Sequence, residues 1–226
     1  MAASTSVSNA FRSTIVKKIL MSLTGLGLVI FVLGHLIGNL SLLFGPEPFN
    51  LYSHKLMSLG PLLWVIEIGL VAFFLIHAWN GISVSRHNRR SRPVRYAKTG
   101  DAGGPSKKSL SSVSMIFTGI ILLVFLVIHV ATFKYGAYYT TVIDGVEMRD
   151  LYKLVYQKFH DPLYVFGYTG VMILLGFHLR HGFWSAFQSL GTNHPRYSGP
   201  IYTIGVVLAI VLAIGFIAIP LYTYFN

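Results

Sequence analysis

The 226-residue chain contains no cysteine and few charged side chains. Without cysteine it forms no disulfide, and it offers no thiolate ligand to zinc or to an iron–sulfur cluster. Charged residues make up 11% of the chain, whereas an ordinary soluble domain carries about 25%. Hydrophobic residues account for 54%, and the mean hydropathy is +0.62. The composition therefore predicts a chain that lies mainly in a lipid bilayer.

Five apolar stretches are each long enough to cross a hydrocarbon core, which takes about 20 helical residues. They cover residues 19–43, 61–85, 110–133, 163–187 and 201–224. None alternates apolar and polar side chains along its length, which disfavours a β-barrel. The first stretch is too long for the core of a signal peptide, and no small-residue cleavage pattern follows it. We expect an all-α integral membrane bundle of five transmembrane helices, with residues 1–226 as one domain.

Glycine and proline predict the loops between these stretches. The turn signals lie at residues 45–48, 103–106, 161–162 and 199–200. They separate the apolar stretches from one another, so we expect each of them to lie outside the transmembrane helices.

Basic residues are concentrated at alternate ends of the predicted spans. Thirteen of the 18 lie on the side of the N-terminus, eight of them between residues 86 and 108. Since loops rich in lysine and arginine stay in the cytoplasm, we expect a cytoplasmic N-terminus and an external C-terminus in the inner (plasma) membrane. Topology and contact with a soluble partner explain the net charge of +11, so we expect no nucleic-acid partner.

Four of the nine histidines lie inside predicted spans, one on each of the first four. They are His35, His77, His129 and His178. An imidazole in an apolar helix is costly, so ionisable residues there usually face the protein interior and serve a function. A packing histidine bonded to a neighbouring carbonyl or hydroxyl is the other explanation. That explanation accounts for a single histidine more easily than for four histidines that lie one on each of four helices.

Depth divides these histidines into two pairs. Counted from the cytoplasmic ends of the spans, His35 and His129 lie 16 and 19 residues in, which is about 24–28 Å along a helix. His77 and His178 lie 8 and 9 residues in, or about 12–14 Å. Two opposed imidazoles at each of two levels suit two b-type haems. His181, three residues after His178, remains an alternative ligand.

Glycines lie near three of these histidines at helical spacing, and we expect them to make room for a flat macrocycle or for close helix packing. They are Gly27, Gly38, Gly69, Gly81, Gly170 and Gly182.

Three segments carry a family resemblance: GHLIGNL at 34–40, GPLLWVIE at 60–67 and GFHLRHGFW at 176–184. With the helix count, the chain length and the order of the histidines, they resemble the cytochrome b subunit of succinate dehydrogenases and fumarate reductases, in its five-helix, dihaem, single-anchor form. The resemblance implies that His35 and His129 ligate the distal haem. It implies that His77 and His178 ligate the proximal one, with four of the five helices enclosing both haems.

The same resemblance implies a respiratory complex II. A flavoprotein subunit would oxidise succinate, an iron–sulfur subunit would pass electrons to this chain, and a membrane quinone, menaquinone rather than ubiquinone, would receive them. The chain itself carries no dinucleotide-binding motif. Some related fumarate reductases use a glutamate two residues before the fourth ligand for transmembrane proton transfer. Gly176 stands there, which favours succinate oxidation.

Glu67 is the only carboxylate inside a predicted span, and we expect it to take part in the proton chemistry of the quinone. Tyr52, His54 and Lys55 in the first external loop are further quinone candidates, although exposed loop polarity also explains them. A rival quinone site beside the proximal haem would use Arg12 and Ser22.

Four basic residues are candidates to pair with the propionates of the proximal haem. They are Arg12, Lys17, Arg86 and Arg180. Membrane topology alone also explains these positions.

Two other functions fit the same residues. One is the dihaem cytochrome b of another quinone-linked enzyme, such as a hydrogenase or a formate dehydrogenase. The other is a transporter that uses intramembrane histidines for proton coupling.

Overall fold

The computed structural model describes residues 13–91, 94, 109–192 and 194–226. In this part of the chain the structure is helical apart from one β-hairpin. In chain order the helices are α1 (Thr14–Asn39), α2 (Pro46–Met57), α3 (Pro61–Arg90), α4 (Leu110–Val113), α5 (Met115–Phe133), α6 (Leu151–Phe159), α7 (Pro162–Ser189) and α8 (Pro195–Phe225). A 3-10 helix, Leu40–Phe44, continues α1, and strands β1 (Thr140–Ile143) and β2 (Val146–Arg149) precede α6.

Five helices in the described residues are long and apolar enough to cross a membrane. They are α1 with its 3-10 extension, α3, α5, α7 and α8. The prediction of five such helices is therefore confirmed. The helices extend beyond several of the predicted apolar stretches, because polar and basic residues at the ends continue the backbone hydrogen bonding. The third is shorter than predicted: α5 begins at Met115, and the separate turn α4 precedes it.

Two of the predicted loops are helical. Residues 46–48 form the first turn of α2, where proline is tolerated because the first N–H groups of a helix have no partner in it. The prediction of a loop at 199–200 is wrong, since α8 runs through both Pro200 and Pro220. At 161–162 the signal is correct, because Asp161 caps α7 and Pro162 is its first residue. The signal at 103–106 lies outside the described residues.

The hairpin adds a strand pair that the all-α prediction does not include. Thr140 pairs with Arg149 and Ile143 with Val146. Asp144 and Gly145 connect the strands with φ of 51° and 77°. Two successive positive φ values are what a tight two-residue turn of this kind needs. We call the side of the molecule that carries the hairpin the hairpin side.

Side chains tie the connecting segments together on the hairpin side. Asn50 on α2 is 1% exposed. Its Nδ2 donates to Asp150 Oδ1 at 2.9 Å, and its Oδ1 accepts from the N–H of Tyr152 at 2.9 Å. Asp150 also accepts from the N–H of Lys153 and so caps α6. These bonds hold α2, the hairpin and α6 as one cover over the ends of the long helices.

The long helices pack in antiparallel neighbours. Lys17 and Gly27 of α1 face Ser83 and Phe73 of α3. In the same way α5 lies along α7 and α7 lies along α8. The buried core joins α1, α7 and α8 to the cover, around Val165 and Leu212, both fully buried. Large apolar side chains on the outer faces are mostly exposed, which suits contact with lipid rather than with water.

Candidate functional site

A cavity of about 2500 Å³ lies between α1, α3, α5 and α7. His35, His77, His129 and His178 all line it. A pocket for one small ligand usually measures about 300–1,000 Å³, so this cavity has room for more than one large group. Most of its other lining side chains are apolar, and Phe216, Ile219 and Pro220 of α8 close part of it.

The rings of His35 and His129 face each other across the cavity. His35 lies on α1 and His129 on α5, and their ring centroids are 5.8 Å apart with an interplanar angle of 85°. Aromatic side chains surround the pair: Phe31 stacks on His35, and Phe125 and Phe133 flank His129. This pair lies closer to the hairpin side.

His77 and His178 form a second pair nearer the opposite side. Their ring centroids are 6.3 Å apart and the rings are inclined at 67°. His77 lies on α3 and His178 on α7, so the two pairs draw on four different helices. The structure thus brings together the same histidines that the depth count groups. His181 also lines the cavity, while the ring that meets His77 is that of His178.

Both separations suit two imidazoles that share one metal ion. A metal–nitrogen bond is about 2 Å long, so two imidazoles on opposite sides of a metal have centroids roughly 6 Å apart. No group of three or more metal-binding side chains occurs among the described residues. Two nitrogens leave a bare ion short of ligands, whereas a porphyrin supplies four of its own and needs two axial ones. The donor set and the apolar walls therefore fit a porphyrin at each pair.

Hydrogen bonds occupy Nδ1 of three of the four histidines. His77 Nδ1 lies 3.0 Å from the carbonyl oxygen of Met21. His178 Nδ1 lies 3.1 Å from Thr118 Oγ1, and His129 Nδ1 lies 3.4 Å from the hydroxyl of Tyr168. An N–H donated at Nδ1 leaves Nε2 unprotonated for a metal and fixes the orientation of the ring.

Thr118 is oriented to accept from His178. Its hydroxyl lies 3.1 Å from the carbonyl oxygens of both Ser114 and Met115. A hydroxyl has one hydrogen to donate and lone pairs to accept with. Once that hydrogen points to a carbonyl of its own helix, the remaining bond runs from His178 Nδ1–H to the oxygen.

Two further glycines, Gly25 and Gly119, lie against the imidazoles of His77 and His178. A Cβ on Gly25 would stand 3.0 Å from Cε1 of His77, and one on Gly119 would stand 3.4 Å from Cε1 of His178. Both glycines line the cavity. They let α1 and α5 pass close to the rings on the neighbouring helices.

The glycines that were predicted to make room for a macrocycle behave in different ways. Gly81 and Gly182 line the cavity as expected. Gly27 and Gly38 instead accommodate the side chains of Phe73 and Tyr52 from neighbouring helices, which is the close-packing alternative. Gly69 and Gly170 have no described atom within 4 Å of the position of a Cβ.

Glu67 lines the cavity near its hairpin side and forms an ion pair with Lys134. The Glu67 side chain is 28% exposed. Lys134 lies 5.3 Å from the ring centre of Trp64 and 5.6 Å from that of Tyr135. The carboxylate therefore has a fixed cationic neighbour, which the sequence analysis did not identify.

The other quinone candidates lie on α2 rather than in a loop. Tyr52 packs its hydroxyl against Gly38 of α1. His54 and Lys55 are in the last turn of α2. Of the rival site, Ser22 is buried, lines the cavity and donates to the carbonyl of Lys18, whereas Arg12 lies outside the described residues.

The other candidates for pairing with haem propionates are Lys17, Arg180 and Arg86. Lys17 donates to Ser83 Oγ at 2.8 Å. Arg180 donates to Ser111 Oγ at 3.1 Å and to the hydroxyl of Tyr202 at 2.7 Å. Arg86 lines a separate cavity of about 230 Å³ between α3 and α5. None of the three side chains lines the main cavity.

Comparisons of the chain with protein-family models, with curated proteins and with solved structures gave no match.

Proposed function

We propose that the chain is a dihaem cytochrome b. His35 and His129 hold one haem, and His77 and His178 hold the other. The observation that carries this proposal is the approach of four intramembrane histidines as two opposed pairs, with centroids 5.8 and 6.3 Å apart. When bound, each haem supplies reversible one-electron transfer. The haems are not covalently attached, since the chain has no cysteine.

The residues around each pair hold the imidazoles in place. The carbonyl of Met21, the hydroxyl of Thr118 and the hydroxyl of Tyr168 accept from Nδ1 of His77, His178 and His129. Such bonds raise the basicity of the ligating nitrogen and fix the tautomer. The apolar walls of the cavity keep water away from the ligands.

We further propose that the chain is the membrane anchor of a succinate:quinone oxidoreductase. This proposal rests on the resemblance of segments 34–40, 60–67 and 176–184 to that family and on the five apolar helices. The partners are a flavoprotein and an iron–sulfur subunit on the cytoplasmic face, and menaquinone in the membrane is the acceptor. The chain lies in the plasma membrane with its N-terminus inside, as the distribution of basic residues suggests.

The surroundings of Gly176 support succinate oxidation without a proton route at this position. A Cβ there would stand 3.1 Å from Cβ of Ala213 and 3.7 Å from the carbonyl oxygen of Ala209. Gly176 therefore faces the close contact between α7 and α8. A glutamate would separate these helices, because packed interiors tolerate extra volume poorly.

Glu67 is the proposed proton donor to the quinone on the hairpin side. It lines the same cavity as His35 and His129, and its pairing with Lys134 holds the carboxylate in one place. Reduction of a quinone consumes two protons, so the site needs a proton route and a titratable or hydrogen-bonding group, a role that the carboxyl group of Glu67 would serve.

Purification of the membrane complex and its absorbance spectrum test this function. We expect two b-type haems per chain, together with a flavoprotein and an iron–sulfur protein that copurify. His35→Ala or His129→Ala should remove one haem, and His77→Ala or His178→Ala the other. A colourless protein would contradict the haem proposal and favour a transporter. Two haems with hydrogenase or formate dehydrogenase subunits would contradict the succinate dehydrogenase assignment alone.

A further inference from the structure

In the described part of the chain, Arg149 lines the hairpin side of the main cavity without an acidic partner. It is the last residue of β2. Nη1 and Nη2 donate long hydrogen bonds of 3.4 Å to the carbonyl oxygens of Lys134 and Ala137. Nε is buried and has no partner among the described residues. Arg149 as a whole is partly exposed, but a buried donor of a charged group is costly unless an acceptor meets it.

Two acidic side chains on this side of the cavity are engaged with other groups, and Glu147 on β2 is exposed and makes no ion pair with Arg149. Glu67 pairs with Lys134. Asp150 accepts from Asn50 Nδ2 at 2.9 Å and from the N–H of Lys153 at 3.0 Å. Besides the two long bonds to carbonyl oxygens, Arg149 has the ring of Tyr138, 5.3 Å from its Cζ. Loss of water on burial lowers the pKa of Arg149, while Tyr138 opposes this shift.

The backbone holds Arg149 in a fixed position. It pairs with Thr140 across the hairpin, and the next residue, Asp150, donates its N–H to the carbonyl of Tyr139 at 2.8 Å. Asp150 then caps α6 and is bound by Asn50. A guanidinium on such a support can present its planar fork to a carboxylate in one orientation.

We infer that Arg149 binds a carboxylate inside the cavity, namely an acid side chain of the haem that His35 and His129 hold. This inference rests on the proposed function. Arg149 contacts the carbonyl of Lys134, which lies five residues after His129, or about 7.5 Å along a helix. Arg149 is therefore near the hairpin end of this ligand pair, whereas His77 and His178 lie farther away. The phosphate of an anionic lipid is the other source of negative charge at this position.

A redox titration of the two haems in the purified complex tests the inference. In Arg149→Gln the midpoint potential of the haem held by His35 and His129 should fall, because the lost positive charge had favoured the reduced, less positive iron. The potential of the other haem should not change. In Arg149→Lys the midpoint potential of this haem should fall less than in Arg149→Gln, because lysine keeps the positive charge. Lys153→Gln is the matched control, since Lys153 lies over Tyr139 on the same side and does not line the cavity.

The outcomes separate this inference from the proposed function. If the wild-type complex contains no haem, the proposed function fails. If it contains two haems and Arg149→Gln leaves both potentials unchanged, only the inference is overturned. Unchanged potentials with less copurified anionic phospholipid would assign Arg149 to a lipid phosphate and would also overturn it. A change in midpoint potential confined to the haem of His77 and His178 would also overturn the inference.

A second variant covers the case in which Arg149→Gln does not fold. In Arg149→His the charge is removed within one sample by titrating the imidazole between about pH 5 and 8. The potential of the same haem should then fall more steeply with pH than in the wild type. An identical pH dependence would overturn the inference.

Discussion

Gly25 and His77 lie so close together that a Cβ on the glycine would stand 3.0 Å from Cε1 of the imidazole. The ring has little freedom to move away, because its Nδ1 is bonded to the carbonyl of Met21 on the same helix as Gly25. One turn of α1 thus both contacts the ring and holds it.

We predict that Gly25→Ala displaces His77 and empties the site that His77 shares with His178. Overpacking of this kind costs about 1–3 kcal/mol, so haem content should fall from two to one per chain. The measurement is the haem-to-protein ratio of the purified chain. Gly34→Ala on the same helix is the control, because no described atom lies within 4 Å of its Cβ position. Equal haem loss in both variants would contradict the prediction.

A second prediction concerns Thr118, which is 1% exposed and accepts from Nδ1 of His178. Thr118→Val keeps the shape but leaves the N–H of the imidazole unpaired, at a cost of about 1–3 kcal/mol. Loss of such a supporting bond lowers metal-site affinity about 10–100-fold. A titration of the haem-free protein with haem should show this weakening at one of two sites.

Thr24→Val is the matched control for Thr118→Val. Thr24 is also buried, and its hydroxyl donates to the carbonyls of Leu20 and Met21 on its own helix. Loss of the Thr24 hydroxyl should leave the affinity for haem unchanged. A similar weakening in both variants would mean that a buried hydroxyl, rather than its bond to His178, decides the affinity.

The third prediction concerns the cover on the hairpin side. Asn50→Ala removes the bonds to Asp150 and to the backbone N–H of Tyr152. Buried groups left without partners cost about 1–3 kcal/mol each. Amide hydrogen exchange at Tyr152 should accelerate by about tenfold or more. Asn226→Ala, at the exposed end of α8, should leave that exchange rate unchanged.

The sequence was sufficient to predict the five apolar helices and the four histidines that meet in the cavity. The length and hydropathy of the apolar stretches predict the five helices, and the fixed rise per residue of a helix predicts the depth of each histidine in the membrane. The turn signal at Pro200 is misleading, because a proline does not reveal that α8 packs along α7 and continues through it. The hairpin itself has a strong sequence signal, because an Asp-Gly pair such as Asp144-Gly145 favours a two-residue turn.

The partners of the histidines could not be predicted. The contacts of Met21, Thr118 and Tyr168 depend on how each helix is rotated about its axis and on which helix lies beside it. Arg149 is 20 residues from His129 in the chain and reaches the same cavity only through the fold of the hairpin. Such positions become visible only when the backbone path between the helices is known.

The ion pair between Glu67 and Lys134 joins α3 to the end of α5. These two helices form neighbouring walls of the cavity, and Lys134 also lies over Trp64 of α3. Removing either side chain should therefore change the hairpin side of the cavity. In the proposed function Glu67 takes up a proton and passes it to the bound quinone, while Lys134 holds the carboxylate in position.

Succinate:quinone activity should distinguish these two roles. Glu67→Gln removes the proton donor and should lower quinone reduction about 100-fold or more, since general acid catalysis contributes about 100–10,000-fold. Lys134→Gln keeps the carboxylate and should lower quinone reduction much less than Glu67→Gln does, because it removes the partner of Glu67 and not the carboxyl group itself. Haem content and succinate oxidation by an artificial acceptor serve as controls and should be unchanged in both. Undiminished quinone reduction in Glu67→Gln across the pH range would exclude Glu67 from the mechanism and favour the site beside Ser22.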